Sequence, residues 1–363
     1  MNPDAGKTAD RSAQIELDRA MCVRYRHAAA GCRRCLDVCR TSAIALRDGQ
    51  PVIDRSRCTQ CGACAGACPT GAIDAGIGAM RAHVMRAAAA EHKVCLACGQ
   101  SEKRPGAIRV RCLNALEPSI LLGALAAGCE RIEITTGECG QCPRRVDGRT
   151  PGSVISEAMT LAGLVGLKPR IDATCAPGGI ALGRRLFLRR IVESSSEPGE
   201  TNETDREGPC SDFFCNPLED RSRHEVPRSR QMMLSALRML KSRNQTVQTG
   251  AGNDSFLKAP RIDASKCEGC TMCAAACPTG AIKVEREQSR LRLTTLAGSC
   301  VGCGLCVDVC YKDAVSLKPA SLAEALRLDW CVQYETGGGS GPDADDVWEK
   351  KLSKMVSAPV YRT

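Results

Sequence analysis

The segment Cys267-Glu-Gly-Cys-Thr-Met-Cys-Ala-Ala-Ala-Cys-Pro278 carries four cysteines at C-x2-C-x2-C-x3-C spacing, and a proline follows the last of them. The same spacing and the same Cys-Pro ending occur between Cys58 and Pro69. The similarity extends outward, because residues 263–282 and 54–73 both begin with aspartate and end in Pro-Thr-Gly-Ala-Ile. A shorter C-x2-C-x3-C run lies near each copy, as Cys32, Cys35 and Cys39 and as Cys303, Cys306 and Cys310. The chain therefore contains two cysteine-rich modules with residues of a different character between them.

This pattern resembles that of bacterial ferredoxins, in which three cysteines of such a run bind one [4Fe–4S] cluster and the fourth binds its neighbour. The resemblance implies two dicluster βαββαβ-like modules. Because the region between them has a strand–helix–strand order, we expect an α+β fold in which the modules flank a small α/β domain, with a disordered linker. The resemblance also implies that the modules relay single electrons. The implied ligand sets are Cys22, Cys32, Cys35 and Cys68 for cluster 1; Cys58, Cys61, Cys64 and Cys39 for cluster 2; Cys267, Cys270, Cys273 and Cys310 for cluster 3; and Cys300, Cys303, Cys306 and Cys277 for cluster 4.

The first module departs from the pattern at its first ligand. The spacing places that ligand at position 29, which is Ala29, and Cys22 is the nearest cysteine upstream. We expect Cys22 to bind, with His27 as the alternative because imidazole also binds iron. Structural zinc is a further alternative for any C-x2-C pair. Four cysteines packed so closely and ending in Cys-Pro favour a cubane.

Composition and charge narrow the class of protein. The chain has 26 cysteines among 363 residues, and its first twenty residues are polar, without the apolar core of an export signal. We therefore expect a cytoplasmic protein whose cysteines bind metal rather than form disulfides. No apolar run is long enough for a membrane span, although peripheral association stays open. The formal charge of +9 would be largely offset by four clusters, which contribute about −8 through their thiolates, so no nucleic-acid partner is expected.

The segments are expected to follow one another in a simple order. They are a polar lead (1–20), module 1 (21–80), a small α/β cysteine-rich domain (94–192), a linker with one basic helix (193–254), module 2 (255–320) and a helical tail (321–363). Within the linker, Cys210–Cys215 is either a partner-docking motif or part of an incidental insert. In the tail, Cys331 is expected to be structural, and Trp330 and Trp348 to pack the tail.

The middle domain has cysteines of its own. A C-x2-C pair is followed by a strand ending in a cysteine, an apolar helix and a second strand that leads into Gly-Glu-Cys-Gly-Gln-Cys. This order resembles the iron–sulfur (delta) subunit of methyl-viologen-reducing hydrogenases, which implies a [2Fe–2S] cluster and transfer between hydrogenase and heterodisulfide-reductase-type partners. Zinc, no metal, and a redox-active dithiol are the alternatives. The candidate ligands are Cys95, Cys98, Cys112, Cys139 and Cys142.

Three functions remain open. The first is a polyferredoxin that wires a dehydrogenase or hydrogenase to an acceptor. The second is a redox subunit whose middle-domain cysteines act on a thiol, disulfide or sulfur substrate. The third is an accessory or sensor iron–sulfur protein for a molybdenum enzyme such as formate dehydrogenase. No G-x-G-x-x-G turn opens a helix after a strand, which argues against a self-contained NAD(P)H oxidoreductase.

Overall fold

The computed structural model describes residues 15–142, 144, 150–177, 225–244, 256–287 and 290–336. The sequence-based hypotheses for Cys210–Cys215 and Trp348 lie outside these residues. The described helices are α1 (Val23–Arg26), α2 (Arg34–Asp37), α3 (Ala63–Ala67), α4 (Ile77–Glu91), α5 (Pro118–Ala126), α6 (Pro151–Gly163), α7 (Arg228–Arg243), α8 (Met272–Ala276), α9 (Leu305–Asp308) and α10 (Leu322–Leu326). The described strands are β1 (Glu16–Leu17), β2 (Ile44–Arg47), β3 (Gln50–Ile53), β4 (Ile73–Asp74), β5 (Lys93–Cys98), β6 (Ile108–Val110), β7 (Arg131–Thr136), β8 (Arg170–Cys175), β9 (Lys258–Ile262), β10 (Ile282–Glu287), β11 (Arg290–Thr295), β12 (Val315–Pro319) and β13 (Cys331–Glu335). This mixture confirms the α+β class.

The two modules share one strand arrangement. In module 1, β1 pairs antiparallel with β4 and encloses the β2–β3 hairpin in sequence, and in module 2, β9 pairs with β12 around the β10–β11 hairpin. Helices lie between the outer and inner strands in both modules. The β2–β3 turn consists of Asp48 and Gly49, both with positive φ, as a two-residue type I′ hairpin requires. Each module thus has two halves, and each half supplies one cysteine run.

The tail extends the hairpin of module 2. Strand β13 pairs antiparallel with β11, so that Cys331 lies opposite Thr295. Cys331 is exposed, and its sulfur accepts a hydrogen bond from Gln333 Nε2 at 3.3 Å. The ammonium group of Lys283 lies 5.8 Å from the centre of the Trp330 ring, a cation–π arrangement. These contacts attach the described part of the tail to the sheet of module 2.

The middle domain contains a four-stranded parallel sheet with strand order β6-β5-β7-β8. Its strands are connected by α5 and α6, in keeping with a small α/β domain. Helix α5 is buried on all sides, because its sequence Pro-Ser-Ile-Leu-Leu-Gly-Ala-Leu-Ala has no charged residue. Most of the largest fully buried side chains belong to this domain or to α7, which packs on it, namely Leu96, Leu113, Leu116, Ile120, Leu121, Leu122, Ile132, Ile134, Leu161, Leu234 and Leu237.

Helix α7 lies in the core rather than along a linker. It packs against α5 and buries an apolar face that includes Met232, Leu234 and Leu237. At its end, Arg243 Nη1 donates a hydrogen bond to the carbonyl of Ala126 at 2.9 Å. Through this helix one hydrophobic cluster extends from module 1 across the middle domain to residues of α10. None of the helices in the described ranges has both the length and the apolar character needed to cross a membrane.

Candidate metal centres

The cluster 1 cysteines lie together around one hollow. Cys22, Cys32, Cys35 and Cys68 line a space of about 400 Å³, with Cys22 at the start of α1 and Cys68 at the end of α3. His27 is oriented by its own loop, because its Nδ1 accepts a hydrogen bond from the backbone N–H of Ala29 at 3.1 Å. The structure therefore brings Cys22, and not Ala29, to the position beside the other three sulfurs.

The cluster 2 cysteines line a second hollow. Cys58, Cys61 and Cys64 come from the second half of module 1, and Cys39 comes from the first half, beyond α2. The four residues surround a space of about 440 Å³. Cys39 of the first half thus lies at the cluster 2 site, and Cys68 of the second half lies at the cluster 1 site. Neither hollow is therefore complete without both halves of the module.

Module 2 repeats this exchange. Cys267, Cys270, Cys273 and Cys310 line a hollow of about 330 Å³. Cys306 is surrounded by Cys300, Cys277 and Cys303, whose negative charges, after burial, raise the pKa of its thiol. Across the residues described, no group of three or more histidine, cysteine, aspartate or glutamate side chains is arranged to hold a single metal ion. The cysteines of the cluster 1, 2 and 3 sets instead line open hollows.

The electrostatics of these sets fit a bound iron–sulfur core. The pKa of Cys35, Cys64, Cys273 and Cys303 is raised to about 12, mainly by burial and to a smaller extent by the charges of neighbouring cysteines. Without metal, these thiols therefore stay protonated and neutral at pH 7. A thiolate ligand requires an adjacent cation that displaces the proton. Four soft sulfur donors around one space are the donor set that [4Fe–4S] clusters use.

Backbone N–H groups point at several of these sulfurs. The N–H of Gln60 lies 3.4 Å from Cys58 Sγ, and that of Gly269 lies 3.5 Å from Cys267 Sγ. Gly269 has a φ of 70°, a conformation that glycine adopts without a steric penalty. Hydrogen bonds of this type lower the electron density on sulfur and are one means by which a protein adjusts the potential of a cluster.

The cluster 1 site of module 1 faces the cluster 4 site of module 2. The N–H of Gly31 donates to the carboxylate of Asp308 at 2.8 Å, and Arg34 Nη2 donates to the carbonyl of Gly302 at 2.9 Å. Around these bonds Val23 and Ala30 pack with Leu305 and Val309, together with the half-buried Cys32 and Cys303. The negative charge of Cys32 is among the causes that raise the pKa of Cys303. The two modules therefore meet beside Cys32 and Cys303.

The middle-domain cysteines meet at one edge of the parallel sheet. Cys98, Cys112, Cys139 and Cys142 follow or end strands β5, β6 and β7, and Cys175 ends β8. The edge is therefore formed by the carboxyl ends of all four strands, where open α/β sheets bind ligands. Burial raises the pKa of Cys139, and the charges of Cys98, Cys142 and Cys175 act in the same direction. The N–H groups of Gln100 and Arg144 lie 3.4 Å from Cys98 Sγ and Cys142 Sγ, as at the module sites.

The cysteines that meet at this edge of the sheet differ from the candidate ligands that the sequence predicts. Cys95 is three residues before Cys98 on the same strand, so its side chain is on the opposite face of the sheet. Its sulfur lies 3.6 Å from Glu133 Oε2. Cys175 takes a place in the group instead, and its sulfur lies 3.5 Å from the carbonyl of Gly137. The signal that could have revealed Cys175 is its position at the end of a strand that follows β7 and pairs parallel with it.

The middle-domain group adjoins cluster 2. The pKa of Cys112 is raised to about 11, mainly by burial, and Cys61 is the first of the cysteines whose charges contribute to the rise. A Cβ added to Gly62, whose φ is 74°, would lie 2.7 Å from Ala115 Cβ. Arg111 also donates a hydrogen bond to the side chain of Gln60. The sulfur-rich edge of the sheet is therefore in direct contact with the loop that carries Cys58 and Cys61.

The comparisons with known proteins identify both modules. A 4Fe–4S dicluster domain matches residues 260–317, and a 4Fe–4S binding domain matches residues 51–74. An uncharacterized ferredoxin of Methanocaldococcus jannaschii is 54% identical over 39 residues, which cover 11% of this chain and 26% of that relative. No solved structure matches the chain significantly.

Both domain matches lie outside residues 94–192. The resemblance of that region to the hydrogenase delta subunit is therefore not confirmed. The matched segments and the grouped cysteines both indicate iron–sulfur modules before and after the middle domain in the sequence. The chain carries two 4Fe–4S ferredoxin-type modules, one on each side of the parallel-sheet domain.

Proposed function

We propose that the protein is a cytoplasmic electron relay with four [4Fe–4S] clusters arranged in the order 2, 1, 4 and 3. The observation that supports this order is the contact between modules, where Gly31 and Arg34 bond to Asp308 and Gly302 beside Cys32 and Cys303. Within each module the exchange of Cys39 and Cys68, and of Cys277 and Cys310, connects the paired sites. A continuous path would then cross the whole molecule.

The clusters would supply one-electron redox chemistry, and the residues of the chain would control it. The sixteen cysteines of the four sets would be the ligands, with Cys22 completing the cluster 1 set. The buried alanines and leucines around the sulfurs exclude water, and the N–H groups of residues such as Gln60 and Gly269 neutralise part of the thiolate charge. The redox partners would dock at the two ends of the path, a dehydrogenase or hydrogenase at one and an acceptor at the other.

Iron and sulfide analysis, combined with EPR of the reduced protein, tests the proposal. Four cubanes require about sixteen irons and sixteen labile sulfides per chain. We expect the reduced protein to give broadened signals from interacting clusters, because all four would be adjacent along one path. A count of about eight irons per chain, or signals without magnetic interaction, would contradict the relay.

A second candidate function concerns the sulfur-rich edge of the middle domain. Cys139 and Cys175 are exposed there, while Cys98 is buried beside them and Cys112 adjoins Cys61 of the cluster 2 site. In this function two electrons from the clusters and two protons would convert a disulfide into two thiols. The electrons would arrive singly through cluster 2.

The rate at which an added small disulfide reoxidises the reduced protein tests this second function. C139S and C175S should slow the reaction at least tenfold and leave the iron of the modules in place. The C331S variant is the control, because Cys331 is equally exposed but lies on β13 of module 2. Equal rates in all three variants would exclude the middle-domain cysteines from this reaction.

The same group of cysteines also allows a metal centre, for which the N–H contacts to Cys98 and Cys142 are the supporting observation. An additional [2Fe–2S] centre would raise the iron count to about eighteen per chain. C142S should then remove a separate EPR signal and the two extra irons. Zinc in place of iron would appear in elemental analysis of the same samples.

A further inference from the structure

Arg230 is a buried cation beside the cluster 4 site. It lies in the first turn of α7 and is 7% exposed. Its Nε donates a hydrogen bond to the carbonyl of Gly298 at 3.0 Å, and its Nη2 donates to the carbonyl of Ala297 at 3.2 Å. Both carbonyls belong to the 3-10 turn Ala297–Ser299, which immediately precedes Cys300. The guanidinium group is therefore held against the start of the cluster 4 cysteine run.

The charge of Arg230 has no carboxylate partner among the described residues. Burial lowers the pKa of Arg230 to about 10, and the negative charge of Cys300 acts in the opposite direction. The side chain consequently remains protonated at neutral pH. An unpaired buried charge is strongly unfavourable in a protein interior, so an anion close by is needed to offset it. A [4Fe–4S]2+ core with four thiolates carries a net charge of about −2 and would be that anion.

We propose that Arg230 raises the reduction potential of the cluster held by Cys277, Cys300, Cys303 and Cys306. This inference rests on the proposed ligation of cluster 4. Reduction adds one negative charge to the cluster, and a nearby cation stabilises the reduced form more than the oxidised form. Because Arg230 is buried, water and salt screen its charge only weakly. Lys258 also lies near Cys300, but it is half-exposed and better screened.

The position of cluster 4 gives this effect a role in the relay. Cluster 4 faces cluster 1 across the contact between modules, in the interior of the proposed path. A raised reduction potential there would favour the reduced form of cluster 4, so that an electron would occupy the junction of the modules before it moves to an outer cluster. Helix α7 packs against α5 of the middle domain and carries Arg230. It would therefore link the middle domain to the cluster whose potential Arg230 affects.

Redox titrations of the iron-loaded, full-length protein, followed by EPR, test the role of Arg230. We expect R230Q and R230M to lower the midpoint potential of one cluster out of four. A tenfold fall in the equilibrium constant for its reduction corresponds to ~59 mV for a one-electron couple. R230K, which keeps the charge, should stay close to wild type. The matched control is R238M, because Arg238 is on the same helix and donates to the carbonyl of Leu326 instead.

The outcomes separate a charge effect from a structural one. If R230Q and R230M lose one cubane's iron, R230K carries the test: retained iron together with a midpoint potential close to that of the wild type supports the proposal, because lysine keeps the charge. Unchanged potentials in fully loaded R230Q and R230M would overturn it, as would an equal shift or an equal loss of iron in R230K. The wild-type iron count tests the four-cluster relay separately, so failure of the relay and failure of this inference can be told apart.

Discussion

At the scale of single residues, the first module depends on where its loop carries Cys22. Nine residues lie between Cys22 and Cys32 in sequence, and α1 occupies part of this interval. Arg24, which is buried in α1, donates to the carbonyl of Cys32 and, at 3.0 Å, to that of Gly49. These bonds close the long loop so that Cys22 reaches Cys35 and Cys68. In the proposed cluster 1 set, this folded loop would take the place of the short spacing of the ferredoxin pattern.

We predict that C22S loses one cubane, about four irons per chain, because three cysteines remain at the cluster 1 site. H27N should keep the full iron content, because asparagine can accept the hydrogen bond from Ala29 that His27 Nδ1 accepts now. Iron analysis of the two purified variants checks this. Loss of iron in H27N with retention in C22S would make the histidine the ligand.

At the scale of elements, the contact between modules rests on the end of α9 and the loop before α2. Asp308 is the last residue of α9 and accepts the N–H of Gly31. Asp37 has the same place in module 1, since both aspartates precede Val-Cys, but it pairs on the surface with Arg33 at 3.6 Å. The aspartate of the Asp-Val-Cys motif therefore joins the modules in one copy and forms a surface ion pair in the other. The segment that packs beside the motif determines which of the two it does.

We predict that D308A destabilises the protein by about 1.5–3 kcal/mol, the range for a hydrogen bond to a charged group. D37A should cost less than about 1 kcal/mol, as surface ion pairs do. D308A should also weaken the magnetic interaction between the modules in the reduced protein. Denaturant unfolding and EPR of the two variants measure these effects, and equal effects in D308A and D37A would contradict the proposed contact.

At the scale of the whole molecule, stability is distributed unevenly. The large buried leucines and isoleucines lie mainly in the parallel sheet, α5 and α7. The modules have smaller cores, in which alanines such as Ala63 and Ala274 and the cysteines accompany single larger side chains such as Ile73, Ile262 and Leu293. A small apolar core of this kind contributes little by itself. The modules should therefore depend on their clusters for folding, whereas the middle domain should not.

We predict that removal of iron by a chelator under reducing conditions unfolds the two modules and leaves the middle domain folded. Metal binding contributes directly to the folding free energy of small metal-binding domains. Hydrogen exchange should then stay slow in β5 and β7 and become fast in β9 and β12. Simultaneous loss of protection in all four strands would show that the chain unfolds as a single unit.

Sequence reasoning succeeded where spacing alone carries the chemistry. The two Cys-Pro runs predicted the ferredoxin-type modules, and the structure groups Cys39 and Cys310 with the runs of the opposite halves. Sequence reasoning failed where strands that are far apart in sequence meet in the sheet. Cys95 and Cys98 look like a pair in the sequence, yet strand alternation separates them, and Cys175 joins Cys98 only because β8 lies parallel to β7. Helix α7 is expected in a linker because polar stretches, residues 193–227 and 244–254, flank it in the sequence.

The repeated segments show the same contrast between what local spacing predicts and what the packing of the folded chain determines. Local spacing of the cysteines determined which kind of centre the chain can build, since a cubane needs several sulfurs on one tight loop. The sequence repeat pairs residues 54–73 with residues 263–282, but the former come second in their module and the latter first. Which half faces the other module, and which cluster site Arg230 adjoins, followed only from the packing of the folded chain. Those relations depend on contacts between residues far apart in sequence, and no local pattern encodes such contacts.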